Sequence, residues 1–401
     1  MRIVYCTDTI WHPGGTQRVA LAKACALARI DGNEVWVVTT ERPQGKPIFP
    51  VSDKVHIVNL TVNYYDDDWK SRFHRSKGLI IKRRKHRKQM RSLLKAISPD
   101  IVIATGTSEK SFLPRLRTGR QTVFIREIHF SKYYRRYAAQ SHFDLIAARL
   151  SEWIDYGINL PRYDRVVILT EEDKKANWAS NNKAIVIPDP VIGKPLAISQ
   201  LSEPEVVAAG RLVDQKNFSS LLRAWHKVHA LYPRWSLSIY GEGSLRQSLQ
   251  TQIEHDGLSD SVRLMGYADD LMPHLARASI FVSTSVYEGF GMVLVEAMEC
   301  GLPVVSYRCP CGPQDIISDG TDGFLVPVGD EQMLADRICE LAGNEGLRKA
   351  MGAAAQKRAG CYAMDLIIAR WMALFSQLLA EKKVTRRTAV RKDTGRCARN
   401  K

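Results

Sequence analysis

The sequence predicts an α/β protein made of two doubly wound domains with parallel sheets. The first observation is an alternation of short apolar runs, typical of strands, with helical segments that have one apolar side. A strand, a helix and a second strand in that order form a β-α-β unit, so the alternation implies parallel pairing. The length of 401 residues favours at least two cores. A linker at about residues 190 to 202 is expected between them.

A pair of glycines precedes the first predicted helix. Arg2 to Cys6 predicts a strand, Thr16 to Arg29 a helix and Glu34 to Thr40 a second strand, and the loop between the first two ends in Gly14 and Gly15. Two adjacent glycines allow backbone N–H groups to approach a ligand closely, although a plain turn explains them equally well.

A histidine and two cations follow other predicted strands. His129 comes just after the strand Gln121 to Arg126, at the usual ligand edge of an open parallel sheet, with a structural role as the alternative. Arg211 and Lys216 flank the turn after the strand Glu205 to Ala209. At a strand end they could bind a diphosphate through charge-assisted hydrogen bonds.

The most informative stretch carries two carboxylates, Glu288 and Glu296, eight residues apart around the turn Gly289-Phe290-Gly291. The strand-like run Ser279 to Ser283 precedes the turn, and Met292 to Cys300 predicts a helix. The first N–H groups of that helix, backed by its dipole, favour an anion such as phosphate. The helix is apolar almost all round, so Glu296 needs hydrogen-bond donors, which ligand hydroxyls could supply. The alternative is that one of the two carboxylates caps the helix and the other lies on the protein surface.

Together these motifs resemble the retaining family 4 glycosyltransferases. Glu288 to Glu296 resembles the family's Glu-x7-Glu motif, with the Gly-Phe-Gly turn and a downstream Gly-Leu-Pro-Val-Val. Arg211 and Lys216 match its Gly-Arg-x4-Lys motif, and Asp189 replaces the Asn of its Ile-Pro-Asn-Pro. The resemblance covers about residues 1 to 380. It implies a GT-B fold, in which two Rossmann-like domains face each other across a cleft and the nucleotide sugar lies mostly on the second.

The resemblance also implies roles for individual residues. Glu288 lies by the donor sugar, Glu296 binds the ribose, His129 contacts the sugar from the first domain, Gly15 faces the phosphates and the loop at Gly266 contacts the base. Phe130 departs from the polar residue usual after that histidine. The residues expected to be catalytic are Glu288, Lys216, Arg211 and His129. Those expected to bind the donor are Gly15, Glu296, Gly289, Phe290, Gly291, Met292 and Gly266.

No metal ligands and no cofactor are expected. Asp66-Asp-Asp68 lacks the apolar strand that would fix a metal-binding pair, so a solvated loop is predicted. Cys309 and Cys311 have no second pair or histidine cluster beside them.

The expected domain organisation has four parts. Residues 1–190 form an acceptor-side Rossmann-like domain, and residues 202–362 form the domain that binds the nucleotide sugar. Residues 363–380 form a helix that crosses back to the first domain, as the resemblance implies. Residues 381–401 form a basic tail, which is predicted to be disordered because it is poor in apolar residues.

The net charge of +16 is concentrated in two places. The Lys70 to Lys95 region holds twelve basic residues and no acidic residue. The Lys382 to Lys401 region holds nine basic residues and one acidic residue. Such patches favour a polyanionic surface, either anionic lipid or nucleic acid. The apolar residues Leu79 to Ile81 favour an anionic membrane, and the scarcity of aromatic residues makes nucleic acid the less favoured partner. A solvated helix face is the alternative.

The sequence therefore predicts a retaining, metal-independent hexosyltransferase. It would move a hexose from a nucleotide sugar, with UDP-hexose favoured and GDP-mannose as the alternative, onto a growing lipid-linked cell-surface glycan. A nucleic-acid-binding protein and a non-catalytic scaffold are the rival hypotheses. The expected location is the cytoplasm, peripherally on the membrane, because the first six residues predict a strand and no apolar run approaches the ~20 residues of a membrane span.

Overall fold

The chain folds around two parallel β-sheets. The computed structural model describes residues 1–397 except 13, 44, 48, 68–71, 107, 118–120 and 140; for residues 67, 72–77 and 385–397 it describes the backbone alone. Within these ranges the first sheet has seven strands and the second has six.

The first sheet has the strand order β3-β2-β1-β4-β5-β6-β7, and its neighbouring strands pair in parallel. Its strands are β1 (Arg2–Cys6), β2 (Glu34–Thr39), β3 (Val55–Asn59), β4 (Ile101–Ala104), β5 (Val123–Glu127), β6 (Arg165–Ile168) and β7 (Ala184–Val186). The sequence analysis missed β3. This edge strand is mostly exposed or half-buried, so it lacks the continuous apolar run of the buried strands.

Helices cover both faces of the first sheet. They are α1 (Gly15–Ala28), α2 (Arg72–Ile97), α3 (Tyr134–Tyr137), α4 (His142–Glu152) and α5 (Glu171–Asn177). The sequence also predicts one long helix over residues 137–156, but α4 begins later and continues as a π-helical segment, Trp153–Asn159. The connections from β3 to β4 and from β5 to β6 run in the same direction across the sheet. Right-handed crossovers therefore place α2 and α4 on one face, opposite α1.

The second sheet has the order β10-β9-β8-β11-β12-β13, again with parallel pairings. Its strands are β8 (Glu205–Ala209), β9 (Ser236–Tyr240), β10 (Val262–Gly266), β11 (Ile280–Ser283), β12 (Val304–Tyr307) and β13 (Gly323–Val326). Its helices are α6 (Phe218–Leu231), α7 (Arg246–His255), α8 (Met272–Leu275), α9 (Met292–Glu299), α10 (Pro313–Ile316), α11 (Glu331–Gly343) and α12 (Glu345–Ala359).

One expected strand of the second sheet is a helix. The sequence also predicts that residues 311–317 extend the sheet, but they contain α10, and the fifth strand of the sheet is β12. Pro313 at the first turn of α10 fits a helix start, where its missing N–H group is not needed.

The last helix, α13 (Met364–Cys397), packs on the first sheet although it follows the second domain. Trp371, Ile367 and Phe375 are fully buried and share a core cluster with Ile3 and Tyr5. The stretch Glu345–Val384 is long and apolar enough to cross a bilayer by composition, but here it comprises α12 and part of α13, whose apolar side lies in this core.

The expectation of a disordered tail differs from the structure over residues 381–397, and its last part, residues 398–401, lies outside the described residues. The backbone of α13 remains helical to Cys397. The reason is local: Glu381 to Lys392 contains neither glycine nor proline and is rich in Lys and Arg, which favour a helix without an apolar face to bury.

Replacement of the α13 anchor tests this packing. We expect Trp371→Ala to lower the free energy of unfolding by about 4 kcal/mol, because it leaves a large cavity in the first core. Leu366→Ala on the exposed side of the same helix is the matched control, with an expected loss below about 0.5 kcal/mol. Equal losses in urea denaturation would contradict the packing of α13 on the first domain.

Candidate functional site

The carboxyl ends of the two sheets face each other, and loops from both domains meet between them. Arg18, in the first turns of α1, forms an ion pair with Glu296 in α9, 2.6 Å from Nη1 to Oε1. A Cβ atom added to Gly289 would lie 1.9 Å from the carbonyl oxygen of His129, so the second domain touches the end of β5 closely. The predicted site residues therefore gather in a cleft between the domains.

Lys216 and Glu288 form an ion pair on the side of the cleft that belongs to the second domain. The Lys216 ammonium lies 2.5 Å from Glu288 Oε1, which also accepts a hydrogen bond from Ser285 Oγ at 2.7 Å. The Lys216 side chain runs across Gly210, where an added Cβ would lie 3.0 Å from its Cδ and Cε atoms. Both groups remain partly accessible, so a ligand can reach them.

The turn between the two glutamates forms the start of α9. Gly291 adopts a left-handed conformation, φ +101°, immediately before the helix begins at Met292. Phe290 is buried, with its ring 5.4 Å from that of Tyr362. Phe290 thus fixes the turn, while the first N–H groups of α9 are available for an anion, since no side chain caps this end.

Glu296 is buried in the middle of α9, as its apolar surroundings predicted, and its partner in this structure is Arg18. Burial raises the pKa of Glu296, and the nearby Arg18 guanidinium lowers it. The Arg18 side chain remains 30% exposed, so the pair lies at the cleft surface. The sequence analysis missed Arg18. Its position one helical turn after Gly15 was the signal that could have placed it beside the same ligand.

His129 belongs to a buried group of four charged residues. Its Nδ1 lies 3.2 Å from Asp189, its Nε2 lies 3.3 Å from Glu127, and the Lys23 ammonium contacts Glu127 and lies 3.8 Å from Asp189. Although burial lowers it, the pKa of His129 is raised to about 9 by the two carboxylates. Burial raises the pKa of Glu127, but Lys23 and His129 lower it to about 2.

This arrangement differs from the expected sugar contact, because the His129 ring is buried between two carboxylates and its backbone carbonyl is the group that meets Gly289. The oxygen and nitrogen atoms of Glu127, His129 and Asp189 are close enough together to bind a metal ion. Lys23 already forms ion pairs with two of these residues, so a cationic side chain lies beside the group.

The remaining predicted residues also lie at this edge. Arg211 is exposed and donates to Gln215 Oε1 at 3.4 Å. Gly15 is exposed at the start of α1, with no atom within 4 Å of an added Cβ. Gly266 ends β10 with φ +80°, and its carbonyl accepts a hydrogen bond from Gly241 N at 2.7 Å. Arg211 and Gly15 are thus both exposed in this structure.

Further contacts hold the domains together beside the cleft. The carboxylate of Asp315 accepts hydrogen bonds from the backbone N–H groups of Glu171 and Glu172 at the start of α5. The ring of Tyr137 stacks on that of Tyr287 with centroids 5.5 Å apart. The structure is therefore a closed arrangement of the two domains.

The second domain matches a known protein family. Residues 198–358 match the family model described as Glycosyl transferases group 1. The chain is 29% identical over 359 residues to an exopolysaccharide phosphotransferase of Streptomyces coelicolor, covering 88% of this chain but 36% of that protein. It is 25% identical over 376 residues to an uncharacterized glycosyltransferase of Haemophilus influenzae, and the match covers 92% of this chain and 98% of that protein.

Solved structures show the fold. The pneumococcal O-GlcNAc transferase GtfA, crystallised with UDP and GlcNAc, superposes with a TM-score of 0.74 at 17% identity, covering 94% of this chain and 99% of that one. The two facing parallel-sheet domains thus form a GT-B fold, which confirms the predicted fold class.

The close approach at Gly289 predicts that Gly289→Ala prevents the closed arrangement. The carbonyl of His129 would have to move by about 1.5 Å to regain ordinary van der Waals distance from the new Cβ. We expect a larger radius of gyration in small-angle X-ray scattering. Gly360→Ala, which meets no atom within 4 Å, is the matched control. An unchanged scattering curve for Gly289→Ala would contradict this contact.

The raised pKa of His129 predicts a pH-dependent contribution to stability. The pKa is higher in the folded state than in the unfolded chain, so the contribution is complete below about pH 6.5 and is lost as the pH rises through about 9. We expect His129→Gln to lower the free energy of unfolding by about 3 kcal/mol at pH 6, and by progressively less up to pH 9.5. His255→Gln, at an exposed histidine, is the control. A difference between wild type and His129→Gln that does not vary with pH would refute the assignment.

Proposed function

We propose that this protein is a retaining, metal-independent hexosyltransferase that uses a nucleotide sugar. The observation that carries the proposal is that Lys216 contacts Glu288 shortly before the uncapped start of α9, the helix that also carries Glu296, and that Arg211 lies in the same loop as Lys216. Cations and N–H groups bind a diphosphate, and carboxylates accept hydrogen bonds from sugar hydroxyls. The match of residues 198–358 to Glycosyl transferases group 1 supports this proposal.

In the proposed reaction the bond between the sugar C1 atom and the diphosphate oxygen breaks, and negative charge develops on the leaving diphosphate. Lys216, Arg211 and the N–H groups near Gly291 stabilise that charge because they are already oriented towards its position. These fixed positive groups take the part that a divalent cation takes in other transferases. Glu288 orients the sugar through its hydroxyls.

Retention of configuration requires the acceptor to approach the face from which the diphosphate leaves, or a covalent intermediate. We favour the first route: the acceptor hydroxyl attacks C1 from the leaving-group side, and a departing phosphate oxygen takes its proton. Glu288 already contacts Lys216 and Ser285, an arrangement that suits orientation of a sugar better than attack on it.

For the donor we propose a UDP-hexose, with GDP-mannose as the alternative. The bound UDP and GlcNAc named for the GtfA structure favour uridine. Glu296 would bind the ribose hydroxyls, and the backbone near Gly266 would contact the base.

For the acceptor we propose a lipid-linked cell-surface glycan. A cavity in the first domain is lined by the cations Lys110, Arg126 and Arg135, partly balanced by Asp155, and so suits an acceptor that carries phosphate. The exopolysaccharide named for the Streptomyces relative agrees with a surface glycan, although this chain spans about a third of that protein.

The proposed location is the cytoplasmic face of a membrane, with the basic α2 on anionic headgroups. In α2 the side chains of Arg83, Arg84, Arg87 and Lys88 are exposed, and none of them forms an ion pair with another described residue. Each basic residue near an anionic leaflet contributes roughly 1 kcal/mol.

A panel of nucleotide sugars tests the class of activity. We expect one donor, a UDP-hexose, to be hydrolysed slowly by the purified protein and to raise its Tm, and the rate to be unchanged by EDTA. A scaffold would release no nucleotide diphosphate from any donor. Loss of all turnover in EDTA, restored by a divalent cation, would contradict metal independence.

Lys216→Ala tests the assigned charge stabilisation. We expect kcat to fall by about two orders of magnitude, because a fixed positive group at the leaving oxygen is removed. Lys227→Ala is the matched control, since Lys227 lies on α6 and its ion pair is with Asp336 of α11. A kcat of Lys216→Ala within threefold of wild type, with a normal Tm, would show that the assignment is wrong.

A further inference from the structure

The first domain exposes a stripe of large apolar side chains on α4 and the segment after it. Phe143 is 81% exposed, Ile146 58%, Leu150 59% and Trp153 62%. Their spacing of three, four and three residues places them along one face of the helix. We call these four residues the α4 stripe.

The α4 stripe is unusual because α4 has almost no core of its own. Of its eleven residues, Ala148 and Glu152 are the buried ones, and Glu152 is held by an ion pair to Arg136 of α3 at 2.6 Å. A helix this short is marginally stable alone and normally depends on burial of its apolar face. A contiguous exposed apolar face of this kind marks an interaction site.

The basic helix α2 lies on the same face of the first sheet as α4. Arg84 and Arg87 of α2, together with Arg115, line a shallow groove with the apolar residue Ile80. The chain segment that carries Arg115 also carries Lys110, which forms an ion pair with Asp155 in the helical turn after α4, at 2.5 Å. The segment beside the basic groove is therefore linked to the helical turn that carries Trp153.

We infer that the α4 stripe inserts into the interface of an anionic lipid bilayer while the arginines of α2 contact the headgroups. This rests on the membrane partner proposed above and assigns the apolar anchor that a charge-only contact lacks. A helix that is apolar on one side, beside cationic side chains, is the chemistry of an interfacial membrane helix. Trp153 at the end of the stripe suits the headgroup boundary.

Two other occupants fit the surface less well. A nucleic acid would use the arginines and leave four large apolar side chains in water. A second copy of this chain, paired by a two-fold axis through α4, would bring two basic α2 helices towards each other, and juxtaposed like charges oppose association. A bilayer satisfies both the apolar stripe and the cations.

The inference also explains how the cleft could meet a lipid-linked acceptor. The α4 helix lies in the connection that leaves the carboxyl end of β5, the edge that faces the cleft, and Tyr137, shortly before α4, stacks on Tyr287 of the second domain. Insertion of the α4 stripe would therefore hold the cleft close to the leaflet from which such an acceptor projects.

The test is co-sedimentation of the full chain with vesicles of phosphatidylglycerol and phosphatidylcholine, and with vesicles of phosphatidylcholine alone. We compare wild type with the triple variant Phe143→Ser/Leu150→Ser/Trp153→Ser, and with Leu196→Ser as the matched control at a fully exposed leucine of the linker. A second variant, Arg84→Glu/Arg87→Glu, tests the headgroup contact.

We expect the triple variant to bind the anionic vesicles at least tenfold more weakly than wild type, with Leu196→Ser unchanged. The arginine variant should lose the preference for anionic over neutral vesicles. All variants should keep the wild-type Tm shift with UDP, so failure of the membrane inference and failure of the proposed donor chemistry are separate results.

Two results would overturn the inference. One is vesicle binding by the triple variant equal to that of wild type, which would leave the stripe without a role at the membrane. The other is a wild-type dimer in analytical ultracentrifugation that the triple variant abolishes, which would assign the stripe to a second copy of the chain.

Discussion

The structure of the cleft depends on four carboxylates, each of which contacts a cationic side chain. Glu288 contacts Lys216, Glu296 contacts Arg18, and the buried carboxylates Glu127 and Asp189 share Lys23 and His129. An isolated buried carboxylate would be strongly unfavourable, so these pairs make the acidic positions compatible with folding. Two of the pairs are also accessible from the cleft, so a ligand that supplies hydroxyls and phosphates can replace the partners.

The pairing of carboxylates with cations also affects how the two domains can move apart, because the Arg18–Glu296 pair lies between them. It joins the two domains, as do the contact of Gly289 with the His129 carbonyl and the capping of α5 by Asp315. A ribose whose hydroxyls donate to Glu296 would replace the hydrogen bond from Arg18, and the Arg18 guanidinium could then contact the phosphates. The same few groups would then both hold the two domains together and bind the donor. The free energy lost when the contacts between the domains break would be offset by contacts with the ligand.

The sequence predicted the strands and turns of the site well because each rests on local rules. Gly291 needs a left-handed backbone, Glu296 sits in an apolar helix, and Lys216 follows a strand end; all three are visible in a short window. The contacts that it missed join distant residues. Arg18 and Glu296 are 278 positions apart. The contact between His129 and Asp189 depends on how the end of β5 packs against the segment that carries Asp189. The edge strand β3 was missed because it carries too little buried apolar surface.

The central claim is that the positive groups around the start of α9 bind the diphosphate of a nucleotide sugar. A crystal structure of the protein soaked with UDP tests it most directly. The account predicts phosphates between Lys216, Arg211 and the first N–H groups of α9, ribose hydroxyls on Glu296, and Arg18 displaced from that carboxylate. UDP bound elsewhere, or bound in the cleft with the Arg18–Glu296 pair intact, would contradict it.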